Sequence, residues 1–465
     1  MARVSLLHGW FPDLVIALAV ATLAVGVVSA RRRWRRLGGL ALGVGGGMAA
    51  LALVIARLDL IGDTFPKSFY VWVGLVFFAA GVAAAGWRPS GWGRRGVALS
   101  SVVVTLAMAG TLINQHYAYF PTPAALFGEV AVDQMPLSHL AGLSRPAALA
   151  GPGPLARLGR GAGADPWDGK PPTADETALD VAAAGAPGPA ASSTASPRSH
   201  GAVVTVDLPA RISHFAHRNA VVYLPPAWFA RPRPQLPVIM MLTGTPSLVS
   251  DWTRAAHADQ IADDYARAHH GFAPILVFPD PNGSNLGDTE CVDSAQGRAE
   301  TYLTEDVPRE VVALFGSAPA PWAVAGLSEG GMCAALLTTR RPDVFSAFAD
   351  FSGEPGPVLG HDHAATLRVL FGGSKAAWRE HDPATLLGRR RFDGHAGWFE
   401  VGRGDRGPLA AARRLDAAAR EAGMTTQLVV RSGRHNFTFW SDAFRHALPW
   451  LTAWLQGERP VKSPA

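Results

Sequence analysis

The sequence predicts an α/β domain, its mostly parallel sheet covered by helices on both faces, behind a front of four membrane-spanning helices. Three observations carry this expectation. Long uncharged apolar runs crowd the first 115 positions. From position 201, short β-branched runs alternate with helical ones. One strand-to-helix junction in that second part is the pentapeptide Gly326-Leu327-Ser328-Glu329-Gly330.

The front comes first in the chain. Residues 14–30, 37–56, 68–87 and 96–114 are apolar and contain no Asp, Glu, Lys or Arg. Each is close to the ~20 residues a helix needs to cross a bilayer. The glycines between 43 and 47 are tolerated in membrane helices. Loop charges set an orientation. Arg31, Arg32, Arg33, Arg35 and Arg36 follow the first run, and Arg88, Arg94 and Arg95 follow the third. The second loop, 58–67, carries Asp59 and Asp63 against Lys67 alone. Positive loops stay in the cytoplasm, so the N-terminus and everything after the fourth run are expected outside. Val28-Ser29-Ala30 has the look of a leader-cleavage site, but the segment before it is barely basic, the arginines follow the apolar run, and three more runs come after. The lipid bilayer is thus an expected partner.

The basic balance belongs to this front. Residues 1–114 hold eleven Lys/Arg and three Asp; with a net charge of +5 for the whole chain, residues 115–465 carry −3. A nucleic-acid role, which needs a basic face, is excluded on this reading. The cytoplasmic arginines suit anionic lipid headgroups instead.

Residues 1–120 therefore read as the membrane region. Residues 121–200 read as a linker, rich in Ala, Gly, Pro and Ser from about 142 onward, because such a composition buries too little apolar area to order itself. Residues 201–458 form the α/β domain and 459–465 a tail. Strands are predicted over 202–208, 220–224, 237–242, 274–278, 322–327, 347–351, 397–402 and 426–432. Helices are predicted over 251–269, 299–315, 329–340, 409–422 and 441–456. Two strands before any helix fit an antiparallel start to a sheet that is otherwise parallel.

The chemistry concentrates at the ends of three strands. Gly-x-Ser-x-Gly between a strand and a helix is a nucleophile elbow: the turn thrusts the Ser328 hydroxyl above the sheet and leaves the Glu329 N–H free to hold an oxyanion. A serine needs a base, and the base an orienting acid, in the chain order Ser, acid, His. His435, in Gly433-Arg434-His435-Asn436 after the last strand, is the candidate base. Asp405, just past 397–402, is the candidate acid, with Glu400 as runner-up. Thr243-Gly244-Thr245 follows the third strand; Gly244 permits close approach, and the Thr245 N–H is the candidate second oxyanion donor. Cys291 and Cys333 fall in the part expected outside, where oxidation favours a disulfide between them; two buried thiols are the alternative. His361-Asp362-His363 lacks a second ligand cluster, so no metal is implied. Neither a phosphate-binding P-loop nor a dinucleotide glycine fingerprint is present, and no cofactor is expected.

Residues 201–456 resemble the putative-esterase branch of the α/β-hydrolases, which contains esterase D-like enzymes, enterochelin esterase-like proteins and actinobacterial mycolyltransferases. The resemblance rests on Leu242-Thr243-Gly244-Thr245-Pro246 with Asp251-Trp252, on Gly326 to Gly331, and on Gly433-Arg434-His435-Asn436-Phe437. Members often carry His-Gly where this chain has Thr243-Gly244. Asn114-Gln115-His116-Tyr117 and Tyr119-Phe120-Pro121-Thr122 resemble multi-span actinobacterial members. The resemblance implies an α/β-hydrolase domain preceded by a four-helix transmembrane region. It supports Ser328, Asp405 and His435 as nucleophile, acid and base acting on carboxylic esters; tethering beside a bilayer makes esters of membrane or envelope lipids and glycolipids the expected substrates. A mycolyltransferase-like acyl transfer by the same triad is the alternative activity.

Overall fold

The computed structural model describes residues 4–30, 47–48, 67–86, 92–126, 135–136, 198–360 and 362–458. The chain divides into two compact units, Met1–Glu129 and Val130–Ala465.

In the first unit, α1 (Trp10–Ala30), α2 (Lys67–Gly86) and α3 (Trp92–Tyr117) pack on one another. Small residues permit this, as where Gly26 faces the side chain of Val82. The hydroxyls of Thr22, Thr105 and Thr111 bond to carbonyls one turn back in their own helices, so apolar surroundings leave them satisfied. Two stretches, Trp10–Val28 and Arg95–Tyr117, are long and apolar enough to cross a membrane, and the apolar part of α2, Ser68–Ala84, is shorter. Among the described residues there are thus two such helices, where the sequence pattern suggested four. The expected run at 37–56 lies outside the described residues except for 47 and 48. After α3, Asn114 closes the chain reversal, its side chain donating to Phe120 O at 2.8 Å and accepting from Phe120 N at 2.7 Å.

The second unit is built on an eight-stranded sheet. Its strands are β1 (Ala202–Val206), β2 (Ala220–Leu224), β3 (Val238–Leu242), β4 (Ile275–Phe278), β5 (Trp322–Leu327), β6 (Phe345–Phe351), β7 (Ala396–Gly402) and β8 (Thr425–Arg431). They lie in the order β1-β2-β4-β3-β5-β6-β7-β8. β2 runs antiparallel to β1 and to β4, and every other pairing is parallel. β2, β3, β4, β5 and β7 are buried along their whole length. That is why these strands read as continuous apolar runs rather than alternating ones: both faces of a parallel sheet are covered.

The covering helices are α4 (Ala258–Ala268), α5 (Val307–Phe315), α6 (Glu329–Arg340), α7 (Arg406–Glu421) and α8 (Phe437–Leu455). α4 and α8 pack together, while α6 and α7 flank the short helix Pro383–Leu387. The expected helix at 251–269 is broken, because His257 adopts a left-handed φ of 53° between Asp251–Arg254 and α4. The expected helix at 299–315 contains a π turn at Tyr302–Asp306. Between β6 and β7 lie three short helices that the apolar pattern did not reveal, His363–Phe371, Lys375–Arg379 and Pro383–Leu387. Asp362, Ser374 and Asp382 cap them, each side chain accepting a backbone N–H of the first turn. Asp362 is thereby a helix cap, and His363 packs edge-on against Trp378.

Cys291 and Cys333 are joined in a disulfide spanning 42 positions. It staples the loop after β4 to α6, the helix that begins at the elbow. Closing a loop of that length is worth roughly 4 kcal/mol on the chain-entropy account. Replacing both cysteines by serine is expected to lower the unfolding free energy by about that amount, as read by chemical denaturation of detergent-purified protein.

Candidate active site

Ser328 sits between β5 and α6 with φ 55° and ψ −129°, a conformation a side chain rarely adopts. The strain is held from outside. Ser328 N donates to Phe351 O at the end of the neighbouring strand β6, and Ser328 O accepts from Gly331 N. A β-carbon on Gly326 would fall 1.9 Å from Gly330 O, so the turn closes only with glycine there. The consequence is a half-buried hydroxyl standing clear of the sheet.

The parallel pairing of β7 and β8 brings their exit loops together. Arg403 N donates to Arg431 O and Gly404 N to Gly433 O, carrying the register past the strand ends. Asp405 on one loop and His435 on the other therefore meet: Nδ1 of His435 lies 2.7 Å from Asp405 Oδ2. On its other side, Nε2 lies 2.9 Å from Ser328 Oγ. The tautomer consistent with both contacts has Nδ1–H donating to Asp405 and Nε2 accepting from the serine hydroxyl. Asn436 caps α8 by accepting Phe439 N, and Trp440 of that helix meets the imidazole edge-on at 4.8 Å between ring centres. Glu400, the runner-up acid, is elsewhere. It is fully buried and bonds Arg431, His446 and the Trp398 indole, which makes it an internal ion-pair centre.

The loop after β3 completes the surround. A β-carbon on Gly244 would lie 3.0 Å from Ser328 Cβ and 3.3 Å from its Oγ, so this backbone runs directly against the nucleophile position. Thr245 follows, and its hydroxyl donates to Gly287 O at 2.6 Å, which turns the side chain away. Trp252 pins the base of this loop by donating from its indole to Leu242 O. Glu329 is the first residue of α6, so its N–H has no partner within the helix.

Below this surface lies a group of buried acids that the sequence pattern did not single out. Burial, and then the charge of Asp288, push the Glu329 carboxyl well above the usual carboxylate range. Burial, then Asp288 and Glu329, do the same to Glu290. Asp350, at the end of β6, is pushed up to about 7 by burial, against the bond it accepts from Gly353 N and with a small contribution from Asp405. Asp350 falls within the predicted strand 347–351, and that pattern alone does not show which face of the strand carries it or how deeply it is buried. The sulfurs of Cys291 and Cys333 and the Glu329 carboxylate lie within 4.8 Å of one another; with the sulfurs joined to each other, they offer no thiolate to a metal. Arg403 and Arg434, on the loops that carry Asp405 and His435, and Arg406, the first residue of α7, are exposed and form no ion pair among the described residues.

A parallel sheet with an antiparallel second strand, a strained serine between strand and helix, and a hydrogen-bonded carboxylate and imidazole after β7 and β8 define an α/β-hydrolase. The chain belongs to the family described as Putative esterase, whose model matches residues 216–451, and it is a serine hydrolase or a related acyltransferase. An uncharacterized protein of Corynebacterium glutamicum is 29% identical over 464 residues, covering 96% of this chain and 97% of that one. Among solved structures, a ferulic acid esterase is 22% identical with a TM-score of 0.48, covering 55% of this chain and 99% of the other. An S-formylglutathione hydrolase from Agrobacterium tumefaciens is 18% identical with a TM-score of 0.46, covering 56% and 98%.

Asp350 makes a pH prediction. The folded chain holds a proton there that the unfolded chain releases near pH 4, so this contribution to stability falls as pH rises from about 4 to about 7. Asp350→Asn is expected to be more stable than wild type at pH 8, by up to roughly 4 kcal/mol, and to differ little from it at pH 4. Denaturant titrations at the two pH values measure the difference.

Proposed function

We propose that the protein is a membrane-anchored serine esterase, acting outside the cytoplasm on carboxylic esters of membrane or envelope lipids. Ser328 is the nucleophile, His435 the general base and then acid, and Asp405 the residue that orients the imidazole. The observation that carries the reading is the unbroken chain of contacts, 2.9 Å from Ser328 Oγ to His435 Nε2 and 2.7 Å from Nδ1 to Asp405.

The chemistry follows from the geometry. His435 Nε2 takes the Ser328 proton as Oγ attacks the ester carbonyl. The N–H groups of Thr245 and Glu329 receive the negative charge that develops on the carbonyl oxygen. Collapse of the tetrahedral intermediate expels the alcohol, which takes the proton from Nε2, and leaves an acyl-Ser328. Water, deprotonated by the same nitrogen, then releases the acid. A sugar or lipid alcohol in place of that water would make the same site an acyltransferase.

Anchoring is supported by α1, where only 11% of the apolar stretch is buried inside the protein. Trp10, Leu14, Leu18, Val20, Val25 and Val28 are exposed on it, and so much outward apolar surface suits lipid better than water. A catalytic domain held at a bilayer works on esters that reside there.

A fluorophosphonate probe is expected to label the wild-type protein and to leave Ser328→Ala unlabelled. Ser328→Ala and His435→Ala should lower kcat on the order of 10⁴-fold or more, and Asp405→Asn by about 10³- to 10⁴-fold, because a misoriented imidazole cannot accept the proton. An unlabelled wild type would leave a non-catalytic scaffold as the better reading. The unpaired Arg403, Arg406 and Arg434 suit an anionic substrate. Replacing all three by alanine is expected to lower kcat/KM about tenfold more for a phosphate-bearing ester than for a neutral one of equal chain length; equal loss on both would remove the preference.

A further inference from the structure

One buried side chain joins the two expected oxyanion donors. Asn282 lies in the loop after β4 and is 5% exposed. Its Nδ2 donates to Thr245 Oγ1 at 2.8 Å and to Glu329 Oε2 at 3.1 Å. Its Oδ1 accepts from Thr289 N at 3.0 Å and lies 3.1 Å from Thr289 Oγ1. Both amide hydrogens and the amide oxygen are therefore engaged. The orientation is fixed by Thr289: a flipped amide would set Nδ2–H against the Thr289 N–H.

The loop that holds Asn282 is itself immobilised from three sides. Asp280 accepts Asn282 N and Gly283 N through Oδ1, and forms an ion pair with Arg218. Thr245 Oγ1 donates to Gly287 O. Two residues past Thr289, Cys291 is bonded to Cys333 of α6. The loop after β3, the loop after β4 and the elbow are thus one hydrogen-bonded and covalent unit, with Asn282 at its centre. Asn282 is a side chain on a third element that bonds both the Thr245 hydroxyl and the Glu329 carboxyl, which also interact with each other directly.

We propose that Asn282 is a positioning residue for ester cleavage, setting the separation of the Thr245 and Glu329 N–H groups through its two amide hydrogens. The inference rests on the reading of Ser328 as nucleophile. An oxyanion hole stabilises charge only when both donors lie within hydrogen-bond range of the tetrahedral oxygen, and not when they suit the flat ester. Loosening the hole should therefore slow the chemical step and spare substrate binding. It should also weaken inhibitors that mimic the tetrahedral oxygen. Burial pushes the Glu329 carboxyl well above the usual carboxylate range, and its Oε2 accepts from Asn282.

The test uses the full-length protein in detergent with a chromogenic carboxylic ester and a trifluoromethyl ketone, which forms a hemiketal with the active serine. Asn282→Ala is expected to lower kcat by 10- to 100-fold with KM within about threefold, and to raise the ketone Ki by a factor that matches the loss in kcat/KM. Asn282→Asp keeps the volume and reverses the donors; it should lose as much, and it carries the test should the alanine variant fail to fold. Retention of kcat within threefold by the aspartate variant, or a fall in kcat with an unchanged ketone Ki, overturns the proposal. Should Ser328→Ala keep full activity, the nucleophile assignment fails first; should Ser328→Ala be inactive while the Asn282 variants keep kcat, only the present inference fails.

Discussion

The strained backbone at Ser328 is the constraint on which the rest of the second unit depends. A φ of 55° at a residue with a side chain costs of order 1–3 kcal/mol and persists only where the surroundings insist on it. Here they do. The neighbouring strand accepts the Ser328 N–H, glycines at 326 and 330 allow the turn to close, and the disulfide fastens α6 a turn and a half later. The sheet supplies the rigidity, and the two loops beyond β7 and β8 are brought to the same spot by pairing that continues past the strand ends. The meeting of Ser328, Asp405 and His435 is a consequence of strand register.

Electrostatics around the elbow follow the same logic of enforced placement. Burial pushes the carboxyls of Glu329 and Glu290 well above the usual carboxylate range and that of Asp350 up to about 7. Shifts in that direction reduce the negative charge beneath a site that must itself gather negative charge in the transition state. Asp405, by contrast, is hydrogen-bonded to the His435 imidazole.

Much of this was legible in the primary structure, for identifiable reasons. The elbow is a local device, and Gly326, Ser328 and Gly330 announce it within five residues. The eight strands could be found because a doubly covered sheet demands continuous apolar runs. The order of serine, acid and histidine restricted Asp405 and His435 to the ends of two particular strands. The cysteine pairing was open to reading because only two cysteines exist. What stayed hidden depends on tertiary placement. Asn282 stands in Asp280-Pro281-Asn282-Gly283, which looks like any turn, and nothing local tells that its amide reaches two other loops. Asp350 gives no sign of its burial. The helices between β6 and β7 are short, so their caps at Asp362, Ser374 and Asp382 carried more information than their apolar periodicity. In the front, length and apolarity pointed to four spans, and the described helices supply two of the required length.

Ester turnover by an acyl-enzyme on one particular serine is the claim to which everything else is attached. Its most direct test is mass spectrometry of the full-length protein, quenched in acid within milliseconds of mixing with a lipid-like carboxylic ester, followed by peptide mapping. The account predicts a transient acyl mass on the peptide containing Ser328, absent when His435 is replaced by alanine. A productive enzyme that accumulates no such adduct in a deacylation-limited regime, or one that carries the acyl group on a different residue, would contradict it.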